Sequence, residues 1–531
     1  MAQRQQWGSR LGFILAAAGS AIGLGNIVFF SANAYRFGAG AFYLPYLLAL
    51  IIVGVPVMAM ELGLGQRFQT SLPLAMEKVG GRWGEFVGWF AVLNTMVITM
   101  YYVTMIAWTA GMWWSALAGT LFDPSVAVPA FDLAKGEMAN PHSSFFQLIS
   151  SWVCVGLVIA VWAVNGVALY WGTKSIEAIV RWLIPFIWIS MIFFLIRGFV
   201  TDGGVHGAYL LFRPEFEVMS SPKVWNGAFS QVFFTLGLGF GIMTAYASYL
   251  PKNSDHTSNA LAITTMNCSF EMIAGLAVFS LLFAFALTPQ ASTLGMMFFI
   301  IPKAIGSLPF GVQVAGAVFF TLLLAAGVTS SVAMIEATLA PLIDKFKIPR
   351  RRALLAFCLI GVVGSVSFAV PLVVDSELAA GGTFGLSLLD LVDHYAFTYG
   401  LLMVGLGETL IVGWMMPIDS LRVELNQGSR IKLGRWFNVL IRYIVPGLLI
   451  AILFGSVLSD LGLLSGTEGE GLRFYGDDMV LEWATWLPIV APLSWVLFTI
   501  GLGYVLMRLP SPKRERPVPE SKHPSSLEVR A

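Results

Sequence analysis

The sequence predicts an all-α polytopic membrane protein. It has twelve transmembrane helices: a 5+5 inverted repeat with broken first and sixth helices, plus two further helices. Three observations predict this. Of 531 residues, 57% are hydrophobic and only 11% charged, with mean hydropathy +0.78. A soluble domain is about a quarter charged, so this chain has too few ionic groups to cover a watery surface. Second, apolar runs repeatedly reach the roughly 20 residues that a membrane-crossing helix needs. Third, glycine clusters interrupt the first and sixth of these runs.

The spans fall near residues 11–36, 41–65, 87–118, 147–168, 177–200, 226–250, 258–287, 313–343, 352–374, 393–417, 437–459 and 484–508, with everything else loop or tail. The first run leads straight into further spans and lacks a small-residue cleavage site, so no cleavable signal peptide is expected. Orientation follows from the short loops. Arg4 and Arg10 precede the first span. Lys345, Lys347 and Arg350 to Arg352 follow the eighth, and Arg422, Arg430, Lys432 and Arg435 follow the tenth. Lys513, Arg514 and Arg516 follow the twelfth. With an even number of spans these all share one side, so both termini are expected to be cytoplasmic, in an inner (plasma) membrane. The opposite loops carry Asp123, Asp132, Asp375, Glu377, Glu468, Glu470, Asp477 and Asp478. Residues 1–10 form the N-terminal segment. Residues 510–531, rich in Pro, Ser and charge, read as a disordered tail.

Several chemistries are excluded. A net charge of +1 is no footprint for nucleic acid. Cys154, Cys268 and Cys358 lie in apolar segments with no metal or disulfide spacing, and the five histidines do not cluster, so no catalytic constellation is present and no enzyme is expected. Asn267-Cys268-Ser269 spells a glycosylation sequon inside a span, where no glycan is added. Glu61 reads as a carboxylate bonding backbone near the end of the second span.

The interruptions carry the functional signal. Gly19-Ser20-Ala21-Ile22-Gly23-Leu24-Gly25-Asn26 breaks the first span, and Thr235-Leu236-Gly237-Leu238-Gly239-Phe240-Gly241 the sixth. The breaks are five spans apart, so residues 11–200 and 226–417 form halves of opposite orientation, with 437–508 appended. Paired broken helices in an inverted repeat point to a binding site at the midplane. Each glycine run taken alone favours close helix packing; their clustering with Asn26 and Thr235 at equivalent positions in both halves favours the site. Unwinding frees carbonyls that are costly in lipid unless satisfied, and a cation satisfies them. The N-terminal end of the outer half-helix suits a carboxylate.

Trp7-Gly8-Ser9-Arg10, Gly23-Leu24-Gly25-Asn26, Gly38-Ala39-Gly40-Ala41-Phe42 and Pro45-Tyr46 open the chain in order. Tyr101-Tyr102, Phe234-Thr235-Leu236, Tyr246-Ala247-Ser248-Tyr249, Asn267 and Ala326-Gly327-Val328-Thr329-Ser330-Ser331 follow. Together they resemble the neurotransmitter:sodium symporter family, the leucine-transporter fold. The loop between the third and fourth spans lacks a cysteine pair or sequon, as in bacterial-type members. The resemblance implies two sodium sites. The first uses the Ala21 carbonyl with Asn26, Thr235, Asn267 and the substrate carboxylate. The second uses the carbonyls of Gly19, Ile22 and Ala326 with the hydroxyls of Thr329 and Ser330. In isolation Thr329 and Ser330 read as bonding their own helix. It also implies a substrate pocket lined by Ser20, Ala21, Gly25, Ile98, Tyr102, Phe234, Thr235, Gly237, Phe240, Ser330 and Met334. Tyr102 donates to the carboxylate, and Phe234 is the outer lid.

The departures sharpen the expectation. Aminergic members carry an aspartate where this chain has Gly23, so a neutral, apolar amino acid is expected rather than a monoamine. Glu271 stands where chloride-dependent relatives have a serine, with Tyr46, Gln231 and Thr235 completing that anion site. Chloride-independent transport is therefore expected, with proton return through Glu271. The outer-gate arginine is replaced by Phe29, although Asp393 matches its partner. Arg36 lies two turns further on, roughly 10 Å outward. It is either a displaced gate partner of Asp390 or Asp393 or an interfacial arginine. Arg4 and Asp344 match the inner gate. Loss of the gate arginine also supports a different class of function, a sodium- or ligand-binding membrane sensor. The resemblance implies a monomer or homodimer in the bilayer.

Overall fold

The computed structural model describes residues 5–123, 141–213, 215–251, 254–290, 292–374, 384–461 and 487–510. Arg4, the charges of the second, fifth and sixth outer loops beyond Asp123, and the tail beyond residue 510 lie outside the described residues. The described chain is helical, with no strand among the described residues. Ten helices are long and apolar enough to cross a membrane, and an eleventh is formed by Arg10–Ala21 and Gly25–Arg36, bent by 55°. The sixth span is the pair Pro222–Thr235 and Ile242–Ala247. A count of twelve requires taking this interrupted pair as one span.

Local chemistry explains the breaks. Ser9 caps the first helix, its hydroxyl accepting from the Gly12 amide at 2.9 Å. The helix stops at Ala21 because Ile22 turns to ψ 88°. The chain then winds through a wider turn, Gly25–Phe29, before resuming as Phe30–Arg36. In the sixth span Gly237, Gly239 and Gly241 take φ of 64°, 77° and 73°. Side-chain-bearing residues rarely enter this left-handed region, so the alternating glycines are what allow the chain to leave the helix and re-enter it six residues later.

The connections differ from the expectation of loop. Short helices occupy them at Pro141–Ile149, Gly204–Phe212, Phe216–Met219, Thr293–Gly306 and Ile418–Asn426. The expected third span is the outer part of one 47-residue helix, Leu72–Ala118, kinked at Gly80–Gly81. These pieces are too short to register as spans, yet they bury residues. Gly204, Gly207 and Leu211 pack on the seventh span, where a Cβ at Gly207 would collide with the Phe279 carbonyl. The third and eighth spans are the most enclosed, and the first and sixth breaks lie against them. The twelfth faces outward over most of its surface.

Candidate functional site

At the first break the chain meets the third and eighth spans. The Leu24 amide donates to the Tyr102 hydroxyl at 3.2 Å. The Ser330 hydroxyl donates to the Ser20 carbonyl at 3.1 Å. Gly23 lies between the two hydroxyls. A Cβ there would stand 2.8 Å from Ser330 Oγ and 3.0 Å from Tyr102 Oη. Around Gly25, by contrast, the nearest atom to such a Cβ is the Phe29 ring at 3.7 Å. Ser20, Ala21, Ile98, Phe240, Thr235 and Met334 are all buried in this region, while Tyr102 and Phe234 are partly exposed. The left-handed Gly237 leaves its own neighbourhood open, with Ile242 Cδ1 nearest to a would-be Cβ at 3.9 Å.

On one side of the break, polar groups from four spans interlock. Asn26 Oδ1 accepts from the Gly23 amide at 2.8 Å, and its Nδ2 donates to Asn267 Oδ1 at 2.7 Å and Thr235 Oγ1 at 3.0 Å. Asn267 Nδ2 also donates to Thr235 Oγ1, at 3.0 Å. The Thr235 hydroxyl in turn donates to Glu271 Oε1 at 2.7 Å, which also accepts from Gln231 at 2.8 Å. Tyr46 donates to the other carboxylate oxygen. Glu271 is fully buried and receives three donors, an arrangement suited to a negative charge.

The other polar group is smaller. Thr329 Oγ1 donates to the Ala325 and Ala326 carbonyls at 3.1 and 3.0 Å, the intrahelical pattern. Its methyl-bearing carbon faces Gly19, 3.8 Å from where a Cβ would stand. A helix end leaves its last carbonyls without intrahelical partners. The stop at Ala21 therefore leaves helix-end carbonyls without intrahelical partners close to Thr329 and Ser330. Hydroxyl lone pairs and carbonyls form an all-oxygen set, which suits a hard cation.

The sixth break is held from behind. Glu61 Oε1 accepts from the Gly239 amide at 2.9 Å, and the Thr95 hydroxyl donates to the Phe240 carbonyl at 3.1 Å. The Glu61 carboxylate thus bonds backbone, and the amide it accepts from is that of the sixth-span break. Glu408, on the tenth span, is also fully buried.

Above the site stand three rings from three helices. Phe29 stacks on Phe397, with centroids 6.0 Å apart and planes at 25°, and Phe234 meets Phe397 at 4.1 Å. Phe397 was not anticipated. The Arg36 guanidinium lies 5.7 Å from the Phe37 ring centroid. Asp393 lies beside the Tyr101 phenol. His394, adjacent to Asp393, is turned toward Asp460 at 2.8 Å.

Below the site, Trp7 Nε1 donates to the Tyr246 carbonyl at 2.8 Å, and its ring packs edge-on against Tyr246 and Phe13. Glu177 accepts from the Gly8 amide at 3.0 Å and the Ser9 hydroxyl at 2.6 Å. Asp344 accepts from the Ser71 amide at 2.8 Å and Thr70 Oγ1 at 3.1 Å. Tyr249 donates to Glu336 at 2.8 Å, and Glu336 pairs with Arg350 at 2.5 Å. The sequence marks Arg350 only as a charge that sets orientation and does not mark Glu177 or Glu336, because their partners lie in distant segments.

Comparison with known proteins places this geometry. The model of the sodium:neurotransmitter symporter family matches residues 4–123 and 142–487. An uncharacterized sodium-dependent transporter of Methanocaldococcus jannaschii is 37% identical over 472 residues, covering 85% of this chain and 90% of that protein. The sodium- and chloride-dependent GABA transporter 2 of Rattus norvegicus is 26% identical, covering 78% and 73%. The crystal structure of MhsT in complex with L-phenylalanine superposes with a TM-score of 0.72 at 28% identity, covering 86% of this chain and 100% of that one.

Proposed function

The chain belongs to the sodium:neurotransmitter symporter family, and is thus a sodium-using membrane transporter of a small molecule. From that premise we propose that it is a symporter of a neutral, apolar amino acid, driven by two sodium ions and independent of chloride. The observation that carries this reading is the Leu24 amide and the Tyr102 hydroxyl meeting at the first break. Beside them lies the Asn26–Asn267–Thr235 cluster. A substrate carboxylate there has two donors and a positive half-helix end, and its negative charge faces the first sodium.

In this reading Asn26, Asn267 and Thr235 rotate oxygens from one another toward the first ion, joined by the Ala21 carbonyl. Gly19, Ile22, Ala326, Thr329 and Ser330 take the second. Gly23 holds no carboxylate for a bare amine and has no room for one, since even a Cβ crowds Ser330 and Tyr102. Ile98, Phe240, Met334 and Gly237 offer an apolar compartment for the side chain. MhsT, in its complex with L-phenylalanine, makes that amino acid a reasoned first probe.

Glu271 supplies the negative charge that chloride supplies elsewhere. It is ionised while sodium is bound and protonated on the return step, which moves a proton outward. The inverted halves, 11–200 and 226–417, rock about the site. The Asp344 corner, with Arg4, closes the cytoplasmic side of an inner membrane in which both termini are cytoplasmic.

Sodium-gradient uptake of labelled L-phenylalanine and other neutral amino acids into proteoliposomes tests the proposal. Uptake should persist in gluconate and quicken when the interior is acidified. A monoamine that outcompetes every neutral amino acid would refute the substrate class. Sodium-dependent binding without any uptake would favour the sensor reading instead.

A further inference from the structure

We propose that Phe397 is the outer gate of this transporter, closing over the substrate by ring contact with Phe29 and Phe234. The inference rests on the reading that a substrate sits at the first-helix break.

The three rings come from three separate helices. Phe29 is on the outer half of the first span, Phe234 on the sixth, and Phe397 on the tenth. Any movement that opens the site outward by separating these helices must pull Phe397 off one neighbour or both. The stack lies directly over the site. Phe29 folds back so that its ring is 3.7 Å from where a Gly25 Cβ would stand, and Phe234 is one residue before Thr235 of the polar cluster.

The local winding sets where two of these rings point. Phe29 ends the wide turn Gly25–Phe29, and Phe397 is the central residue of another, His394–Gly400. Such wide turns shift side chains out of ordinary helical register and cluster at functional positions. Both break the face on which an α-helix would have placed these rings. Asp393, just before the second wide turn, is left beside Tyr101.

An aromatic gate works differently from an ionic one. Ring pairs gain by burial and by quadrupole alignment, neither of which salt screens appreciably. They also prefer an apolar group beneath them. The gate is therefore a specificity device: a bulky neutral side chain completes the stack from below, and a carboxylate leaves its negative charge against the negative faces of three rings. Arg36, two turns outward, is the competing candidate, and its contribution would be screened by salt.

The test follows release of labelled L-phenylalanine from purified protein at fixed sodium, chased with excess unlabelled ligand. Added N-methylglucamine gluconate sets the ionic strength. Phe397→Ala should release at least about tenfold faster, as expected for losing two ring pairs, with the sodium dependence of binding unchanged. Phe397→Leu should fall between Ala and wild type. Phe29→Leu combined with Phe397→Leu should release no faster than the faster single variant, because both break one stack. None of these rates should vary with ionic strength. Wild-type release rates in Phe397→Ala would overturn the proposal. So would salt-dependent release that Arg36→Ala abolishes. If wild type binds no L-phenylalanine, the substrate reading fails, and the gate is read separately. External methanethiosulfonate should then modify Tyr102→Cys at least about tenfold faster when Phe397→Ala is added, and an equal rate would refute the gate.

Discussion

On the proposed reading of Glu271 as the stand-in for chloride, replacing it with serine should make transport require chloride. Tyr46, Gln231 and Thr235 all donate to this carboxylate, which is fully buried among the second, sixth and seventh spans. Serine is two atoms shorter and cannot reach all three donors. Each buried donor left without an acceptor costs about 1–3 kcal/mol. Two unmet donors at the low end cost about 2 kcal/mol, roughly thirtyfold in an equilibrium constant. The lost negative charge also weakens the proposed first sodium site, because Thr235 links that carboxylate to Asn26 and Asn267. A chloride ion can accept from the same three donors and restore the charge. The assay is sodium-driven uptake into proteoliposomes in gluconate, with chloride titrated back. Wild type should be unaffected by the exchange. Glu271→Ser should lose at least about thirtyfold in gluconate and recover as chloride rises. Full activity of Glu271→Ser without chloride, or a strict chloride requirement in wild type, would refute the reasoning.

Other consequences can be read from single contacts. Gly239→Ala should lower thermal stability in detergent and slow transport, since a left-handed backbone costs a Cβ-bearing residue roughly 1–2 kcal/mol. The new Cβ would also stand 3.0 Å from the Leu401 carbonyl; an unchanged melting temperature would mean that the break relaxes freely. Glu336→Gln removes the carboxylate from Arg350, its partner at 2.5 Å, and breaking such a buried pair costs about 3–5 kcal/mol. A large fall in melting temperature is expected, and a shift of a degree or less would show that water already serves Arg350. Gly23→Asp should abolish sodium-dependent L-phenylalanine binding, because its Cβ crowds Ser330 and Tyr102; retained binding would move the substrate away from this break.

What was legible in the sequence was encoded within one segment. The first and sixth breaks announce themselves because a break needs glycine where it occurs, as at Gly237, Gly239 and Gly241. Spans were legible because lipid enforces length and apolarity residue by residue. The short connecting helices were not, since their reason to fold is a partner such as the seventh span under Gly204 and Gly207. The same distinction explains Phe29. Within its own segment it is only the loss of an arginine, and that loss supported a protein that no longer transports. Its partner Phe397 is 368 residues away and is aimed by a wide turn that no local pattern marks. Once the two rings stack, with Phe234 against the second, the substitution changes its meaning. A chain that had merely lost its outer gate would have no need of a ring on the tenth helix aligned with one on the first. The pairing therefore argues that closure is preserved in apolar form, and that the departure at Phe29 bears on how the site closes rather than on whether it does.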